Sequence, residues 1–260
     1  MRQAKQNDNE AILQFLKQDI VNNLYAYIDI KTYGIEHPHM KIWINNTGVI
    51  KCVVMKYYES FQICGKIEEV TEKLIALIAE YTPKMISGSG KNIKILESYL
   101  GQYKASYGKV FEVERLLPQM GNGIEVESAT EEDMGEIAAL ICSDAEIGGH
   151  YDKEILAEQL RNRLKTGMGR NFIIRNNGTI VAHTATYAES EGIAVTGGTI
   201  VAKEFRDSFY YAALSNKLLQ ELMRENKKIY TFSISDKMIR YHTKMHKICA
   251  EYGKLTYKSM

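Results

Sequence analysis

The stretch that most constrains this chain runs from Gly197 to Leu222, with the sequence GGTIVAKEFRDSFYYAALSNKLLQEL. A β-branched run ends in a short polar turn that contains Arg206, and apolar side chains then recur at spacings of three and four. The pattern predicts a strand that enters a helix through a tight turn. Because the first N–H groups of a helix have no intrahelical partner, such a turn favours an anion such as a pyrophosphate. An ordinary buried strand–helix unit has the same pattern, so the neighbouring sequence must decide between the two interpretations.

Composition limits the classes of partner. The chain has 260 residues, 45% of them hydrophobic, which is sufficient for one large domain or two ordinary ones. Its net charge of +1 argues against nucleic acid and membrane surfaces as partners. The four cysteines form no CxxC pair and have no zinc-ligand spacing with histidine, so we expect free thiols and no metal. The N-terminal sequence has no apolar signal segment, and no apolar run approaches the roughly 18 residues of a membrane span. We therefore expect a soluble cytoplasmic protein.

The first half of the chain predicts an α/β domain. Helices are expected over 9–22, 67–82 and 92–103, and extended segments over 25–30, 40–44, 49–57, 84–86 and 106–116. The segment 45–48, NNTG, has hairpin chemistry because Asn and Gly tolerate positive φ. The segment 88–92, GSGKN, is not a phosphate loop, since Met85 stands where that motif needs its first glycine and Asn92 where it needs Ser or Thr.

The turn-rich segment 118–123, PQMGNG, is the best candidate linker. It predicts an N-terminal α/β domain over 1–120 and a second domain over 121–260. The expected element orders are α-β-β-β-α-β-α-β in the first domain and β-α-α-β-β-β-α-β-α-β in the second. Their similarity suggests a diverged duplication, although two unrelated α+β domains would also give these orders.

The segment from Ile124 to Tyr257 resembles the GNAT superfamily of acyl-CoA N-acyltransferases. In that family the fourth strand of a mixed sheet leads into a phosphate-binding turn, Arg-x-x-Gly-x-Gly/Ala, which opens a helix. The corresponding turn here, RDSFYYA at 206–212, keeps the arginine but has Phe209 and Tyr211 at the two small positions. The family also has a tyrosine four residues before a Gly-Phe pair, and here Tyr241 precedes Met245-His246. The resemblance implies an α+β fold with a mixed sheet, and a tandem GNAT-like arrangement if the N-terminal domain is a diverged copy.

The resemblance also implies a reaction, the transfer of an acetyl group from acetyl-CoA to the amine of a small-molecule acceptor by direct attack. Such catalysis depends on positioning and on donors directed at the developing oxyanion. The backbone of Thr199, Ile200 and Val201 is expected to pair with the pantetheine arm. The expected contacts around the pyrophosphate are Arg206, Asp207, Ser208, Phe209, Tyr210 and Tyr211. Tyr241 is the expected general acid that protonates the leaving thiolate.

The acceptor amine needs a general base and a binding site. Glu189, at the end of a predicted strand, is the first candidate for the base, and Glu191 is the second. His150 lies in a Gly-rich loop between two predicted helices, where the family shapes its acceptor site. His183 is a second expected substrate contact, although a satisfied buried histidine is the alternative interpretation.

Two functional hypotheses stay open at this stage. The first is the N-acetyltransferase, with acetyl-CoA as cosubstrate, a small amine as partner and either a monomer or a homodimer as the working form. The second is a degenerate, non-catalytic GNAT-fold protein used for binding or regulation. The second hypothesis depends on Phe209 and Tyr211, because large side chains at the two small positions could fill the phosphate site.

Overall fold

The computed structural model describes residues 1–45, 48–118, 123–145, 147–149, 151–206 and 208–258. The α-helices are α1 (Asn9–Gln18), α2 (Leu24–Tyr33), α3 (Thr71–Tyr81), α4 (Gly90–Glu97), α5 (Met134–Cys142), α6 (Lys153–Lys165), α7 (Tyr210–Arg224) and α8 (Asp236–Met245). The strands are β1 (Arg2–Gln3), β2 (Met40–Ile44), β3 (Cys52–Tyr57), β4 (Ser60–Gly65), β5 (Met85–Ser89), β6 (Tyr103–Glu112), β7 (Glu127–Ser128), β8 (Asn171–Asn176), β9 (Thr179–Ser190), β10 (Ile193–Val201), β11 (Lys228–Ser233) and β12 (Lys247–Tyr257). No helix in these described ranges combines the length and the apolarity that a membrane crossing needs.

The chain divides into two units that do not follow the sequence in a simple way. The first unit contains Met1–Phe111, Phe232–His242 and Ile248–Met260, and the second contains Glu112–Thr231 and Thr243–Lys247. The predicted second domain, in contrast, takes every residue from 121 onward. Most of the predicted linker, residues 119–122, lies outside the described residues, so the boundary at 120 and 121 stays a prediction.

The sheet of the first unit is mixed and has the strand order β1-β2-β3-β4-β5-β12-β6. Strands β2, β3 and β4 form an antiparallel meander, and β4 and β5 are parallel. Strands β3 and β4 are apolar and buried along most of their length, as expected for strands covered on both faces. Helices α3 and α4 pack against this sheet through a core that includes Phe61, Leu74, Ile86 and Ile93. Strand β12 lies antiparallel to β5, so the carboxyl-terminal strand completes the first unit.

The sheet of the second unit has the order β11-β10-β9-β8-β7, with β10 and β11 parallel and the other pairs antiparallel. Helix α7 covers one face with Leu214, Leu218 and Leu222. Helices α5 and α6 belong to a separate core that contains Ile200, whereas the adjacent Val201 packs in the core of α7. Successive strand residues point to opposite faces, so the end of β10 is buried on both sides.

The two halves of the chain repeat one element order. Residues 2–112 give β-α-α-β-β-β-α-β-α-β, and residues 127–257 give the same order. The predicted similarity of the two halves is therefore confirmed and is closer than expected, because the structure adds β1, α2 and β4 to the first half. Identical order over ten elements favours a diverged duplication over two unrelated folds.

Two predictions for the first half were wrong. Residues 25–30, expected as a strand, lie in α2, whose sequence LYAYIDIKTY is rich in strand-forming residues but is buried on more than one side. Packing here overrides intrinsic preference. Strand β4 was missed because the turn before it contains neither Gly nor Asn; Tyr58 adopts the left-handed conformation there, with φ of 50°. The rejection of a phosphate loop is consistent with the structure, in which residues 88–92 join β5 to α4.

Candidate functional site

Strand β10 changes its pairing halfway along its length. Among the described residues, its parallel register with β11 begins at Ile193 and ends where Thr196 faces Thr231. On the other side, its antiparallel register with β9 shifts between Gly197 and Ile200, as in a β-bulge. Among the described residues, the β10 register beyond Thr196 is with β9, and the other backbone edge of this segment is directed away from that ladder. A backbone edge of this kind can pair with an extended ligand.

The two glycines of the bulge are required by a neighbouring ring. Gly198 has φ of 62°, and a Cβ atom placed on it would lie 2.2 Å from the Tyr187 hydroxyl. A Cβ atom on Gly197 would lie 2.8 Å from the same ring. Arg163 lies over the Tyr187 ring, with its guanidinium carbon 5.7 Å from the ring centroid. The Gly-Gly pair therefore makes room for Tyr187, a residue that no sequence pattern singled out.

The predicted pantetheine-pairing residues lie on this bulged segment. Ile200 and Val201 bury their side chains in the two cores of the unit, which leaves their backbone as the functional part. The Thr199 hydroxyl hydrogen-bonds the Thr184 hydroxyl of β9 at 2.7 Å. These three residues are therefore held by packing and by a cross-strand bond, so the backbone conformation of the segment is well defined.

The side chains of Phe209 and Tyr211 have different surroundings in the turn after β10. Phe209 is the residue before α7, and 47% of its surface is exposed. Tyr211 packs against the core beneath α7, and Tyr210 stacks on Phe205 with the ring centroids 5.9 Å apart. Ser208 donates its hydroxyl proton to the Phe205 carbonyl and accepts from the Tyr210 N–H. Phe209 is therefore half-exposed, and Tyr211 packs toward the core.

Arg206 is already engaged within the unit. Its guanidinium donates to Asp144 at 2.6 Å and to the Val201 carbonyl at 3.2 Å. Half of the Arg206 side chain stays exposed, and Asp144 also accepts from the Ile147 N–H. The arginine thus ties the turn after β10 to the segment after α5. Asp207, the next predicted cofactor contact, lies outside the described residues.

Glu189 is buried in an ion cluster. Its carboxylate accepts from Arg170 and from Lys227, both at 2.6 Å, and from the Thr186 hydroxyl at 2.9 Å. Burial raises the pKa of Glu189, but the bonds from Arg170 and Lys227 outweigh burial and lower it overall. A carboxylate with a lowered pKa and occupied oxygens is a weak base. The geometry favours a structural ion pair over the predicted general base.

His183 is a core residue. Its side chain is fully buried, and its two ring nitrogens lie 3.0 Å from the Gly198 carbonyl and 3.0 Å from the Asn171 amide oxygen. Burial lowers the pKa of His183 to about 4, against a smaller opposing effect of the Gly198 bond, so the imidazole is neutral at pH 7. The substrate contact predicted for His183 does not fit this geometry, and the alternative interpretation as a satisfied core histidine does.

The remaining predicted site residues are placed as follows. Tyr241 lies on α8 and belongs to the first unit, unlike the residues of β10 and α7. Burial raises the pKa of Tyr241, so its phenol stays protonated at neutral pH, as a general acid requires. His150 lies outside the described residues. In the part of the chain that the structure describes, no group of three His, Cys, Asp or Glu side chains is arranged to hold a metal ion.

Some residues that shape this region were missed. Arg170 and Lys227 are 19 and 38 positions away from Glu189. Asn171 reaches His183 diagonally across the β8–β9 pair, in which its direct partner is Ala185. No local motif marks these residues, because their contacts arise from strand register and not from spacing along the chain.

The GNAT class of fold is defined by a mixed sheet in which the fourth main strand separates from a parallel fifth strand. The fourth strand then leads into a turn and a helix. No protein-family model and no curated protein sequence matches the chain. Solved structures do match, and they confirm the predicted fold class.

Several of these structures cover nearly the whole chain, and three of them serve as examples. A Drosophila melanogaster protein aligns with a TM-score of 0.68 at 10% identity, over 99% of this chain and 98% of its own. A GCN5-related N-acetyltransferase-like protein from Streptococcus suis gives 0.64 at 11% identity, over 95% and 100%. A tandem GNAT protein from the clavulanic acid biosynthesis pathway gives 0.60 at 12% identity, over 99% and 98%. At these identities the likeness shows the fold, and the activity must be argued from the site.

Proposed function

We propose that this chain is an acetyl-CoA-dependent N-acetyltransferase that acts on the amine of a small molecule. The observation that supports the proposal most strongly is the bulged second half of β10, followed by a turn and a helix where Phe209 is half-exposed and Tyr211 packs on the core. The fold is one on which acetyltransferases are built. The proposal adds the cosubstrate, the acceptor class and the residues.

Each residue has a part in the proposed chemistry. Acetyl-CoA supplies the acyl thioester. The backbone of residues 199–201 would hold the extended pantetheine arm by strand-like pairing. The N–H groups at the start of α7 would face the pyrophosphate, because a helix N-terminus carries unpaired donors and a partial positive charge. Tyr241 is retained as the general acid on the resemblance alone, with a raised pKa that keeps its proton in place.

Binding is tested by calorimetry with acetyl-CoA and two variants of one residue. Ala212, in the first turn of α7, is half-buried. Ala212→Glu places a carboxylate beside the proposed pyrophosphate site and is expected to weaken binding at least tenfold. Ala212→Gln has nearly the same size without the charge and is the matched control. Absence of heat at millimolar acetyl-CoA would refute the cosubstrate, and equal affinity of the two variants would refute the site.

Catalysis is tested by release of free CoA thiol in the presence of a panel of amines. Tyr241→Phe is expected to lower the turnover with little change in acetyl-CoA affinity, because the phenol acts on the leaving group.

A second candidate function is acyl-CoA binding without catalysis. The specific observation behind it is Glu189, whose ion pairs remove the first candidate base. Binding of acetyl-CoA with no thiol release from any amine would favour this candidate.

A further inference from the structure

Three polar side chains lie in a row across the sheet of the first unit. Gln62 of β4 is the parallel partner of Ser87 of β5, and Ser87 is the antiparallel partner of Lys254 of β12. Directly paired residues point to the same face of a sheet, so these three side chains share one face. Their chain neighbours Ile86 and Leu255 point the other way, into the core that α3 and α4 cover. The row therefore lies on the face opposite that core.

Two members of the row are held in place. Gln62 and Ser87 are buried, and the Ser87 hydroxyl lies 2.7 Å from the Gln62 amide oxygen and 3.3 Å from the Phe61 carbonyl. Its single proton goes to these acceptors, so toward Lys254 the Ser87 oxygen can only accept. The bond to Ser87 also fixes the Gln62 amide, and its nitrogen has no bond within the described ranges. That nitrogen is a donor for an incoming oxygen.

Lys254, the third member, has no acidic partner. Its side chain is half-buried, and in the part of the chain that the structure describes its ammonium makes no hydrogen bond and no ion pair. Tyr252, two residues earlier on the same face, packs edge-on against Phe232 with the ring centroids 4.9 Å apart. Burial lowers the pKa of Lys254, and no charge of the described residues opposes this effect. More of Lys254 than of a fully solvated lysine is therefore neutral amine at pH 7.

A neutral lysine amine reacts with carbonyl groups, and removal from water is one way in which proteins activate it. The nitrogen lone pair attacks the carbonyl carbon of an aldehyde, and a C–N bond forms. The carbonyl oxygen then leaves as water and takes both amine protons with it, so an imine remains. The row supplies what this reaction needs beside the amine, since the Gln62 amide can donate to the carbonyl oxygen and Ser87 can accept from the amine.

We propose that Lys254 is a covalent binding site for small aldehydes, which it captures as an imine beside Ser87 and Gln62. The half-buried position of Lys254 restricts the site to small molecules. None of these three residues takes part in the proposed acetyl transfer, and imine formation needs no acetyl-CoA. The two proposals therefore stand or fall separately.

The experiment exposes the whole protein, without acetyl-CoA, to propanal and sodium cyanoborohydride at pH 7. The reductant converts each imine into a stable secondary amine, and peptide mass spectrometry measures the labelling rate of each lysine. Lys104, which is exposed on β6, is the internal reference. Because one unit of pKa changes the neutral fraction about tenfold, we expect Lys254 to be labelled about tenfold faster than Lys104. Labelling of Lys254 that is no faster than that of Lys104 would overturn the inference.

Two variants and a control test the row itself, and thermal unfolding checks that each variant is folded. Gln62→Glu keeps the shape of the side chain and gives Lys254 an acid that should keep the ammonium protonated, so labelling should slow to about the rate of Lys104. Lys254→Met should abolish the fast labelling. Lys104→Met, on the strand beside β12, should leave the rate of Lys254 unchanged. Fast labelling of Lys254 in a folded Gln62→Glu protein would contradict the proposed site. If Gln62→Glu does not fold, the comparison of Lys254 with Lys104 in the wild type decides.

Discussion

Glu189 offers the sharpest prediction, because a structural ion pair and a general base give opposite results when the charge is removed. Glu189→Gln keeps the shape of the side chain and the capacity to accept from Thr186. It removes the negative charge that Lys227 and Arg170 share, at 2.6 Å each. Only 3% of the Glu189 side chain and 13% of the Lys227 side chain are exposed, so water cannot replace the lost partner easily.

The expected cost can be estimated from these contacts. Removing one member of a buried ion pair costs about 3–5 kcal/mol. Arg170 keeps Glu225 as a two-point partner, at 2.7 and 2.6 Å. Lys227 keeps Glu225 at 3.5 Å and the Ser190 carbonyl at 3.2 Å, so the loss should fall at the low end of this range. We therefore expect Glu189→Gln to lower the free energy of unfolding by about 3 kcal/mol.

The assay is urea unfolding followed by circular dichroism. The pKa of Glu189 is lowered in the folded state, so its stabilisation is present above the ordinary pKa of 4.5 and is lost as the pH falls through the folded value. The difference between wild type and Glu189→Gln should accordingly shrink below pH 4.5. Glu191→Gln, an exposed acid two positions later, is the matched control and should change stability by less than about 0.5 kcal/mol. A stable Glu189→Gln protein that lacks activity would refute the structural assignment and restore the base.

Three further predictions follow from the same unit. Burial lowers the pKa of His183 from 6.5 to about 4, so the unfolded state binds a proton first as the pH drops. The free energy of unfolding should therefore decline by about 3 kcal/mol between pH 6.5 and 4. In urea titrations, His183→Gln should flatten that decline. Gly198→Ala should lose about 1–3 kcal/mol by thermal unfolding, since φ is positive and Tyr187 occupies the space; unchanged stability would mean that the bulge is not held by the ring. Phe209→Ala should leave the melting temperature and acetyl-CoA affinity unchanged, because the ring is exposed, and a tenfold change in affinity would contradict this.

The sequence predicted those parts of the fold that local patterns encode. The strand, turn and helix over 193–224 follow from β-branched runs and from spacings of three and four, and the structure has β10 and α7 there. Helix α2 was mistaken for a strand because its pattern is set by burial on several sides, which only the packed structure reveals.

The site was harder to predict than the fold. Glu189 at a strand end looked accessible, but its environment depends on Arg170 and Lys227, which the sheet register brings to it. The direction of Phe209 and Tyr211 depends on where α7 begins, at Tyr210. Residue type alone could not decide whether these rings fill the turn or leave it open.

The position of β12 beside β5 has a consequence for how the chain acquires its structure during synthesis. Ile248 to Tyr257 belong to the first unit, although the ribosome makes them only after residues 113–247. At ordinary rates of synthesis the strands β1 to β6 would wait roughly 10 to 30 s for this partner. During that interval the edge of β5 is exposed, and an exposed edge is a site of aggregation or of binding by a chaperone. A fragment that ends at residue 118 would keep this unpaired edge permanently, so the amino-terminal half is not expected to be an independent folding unit.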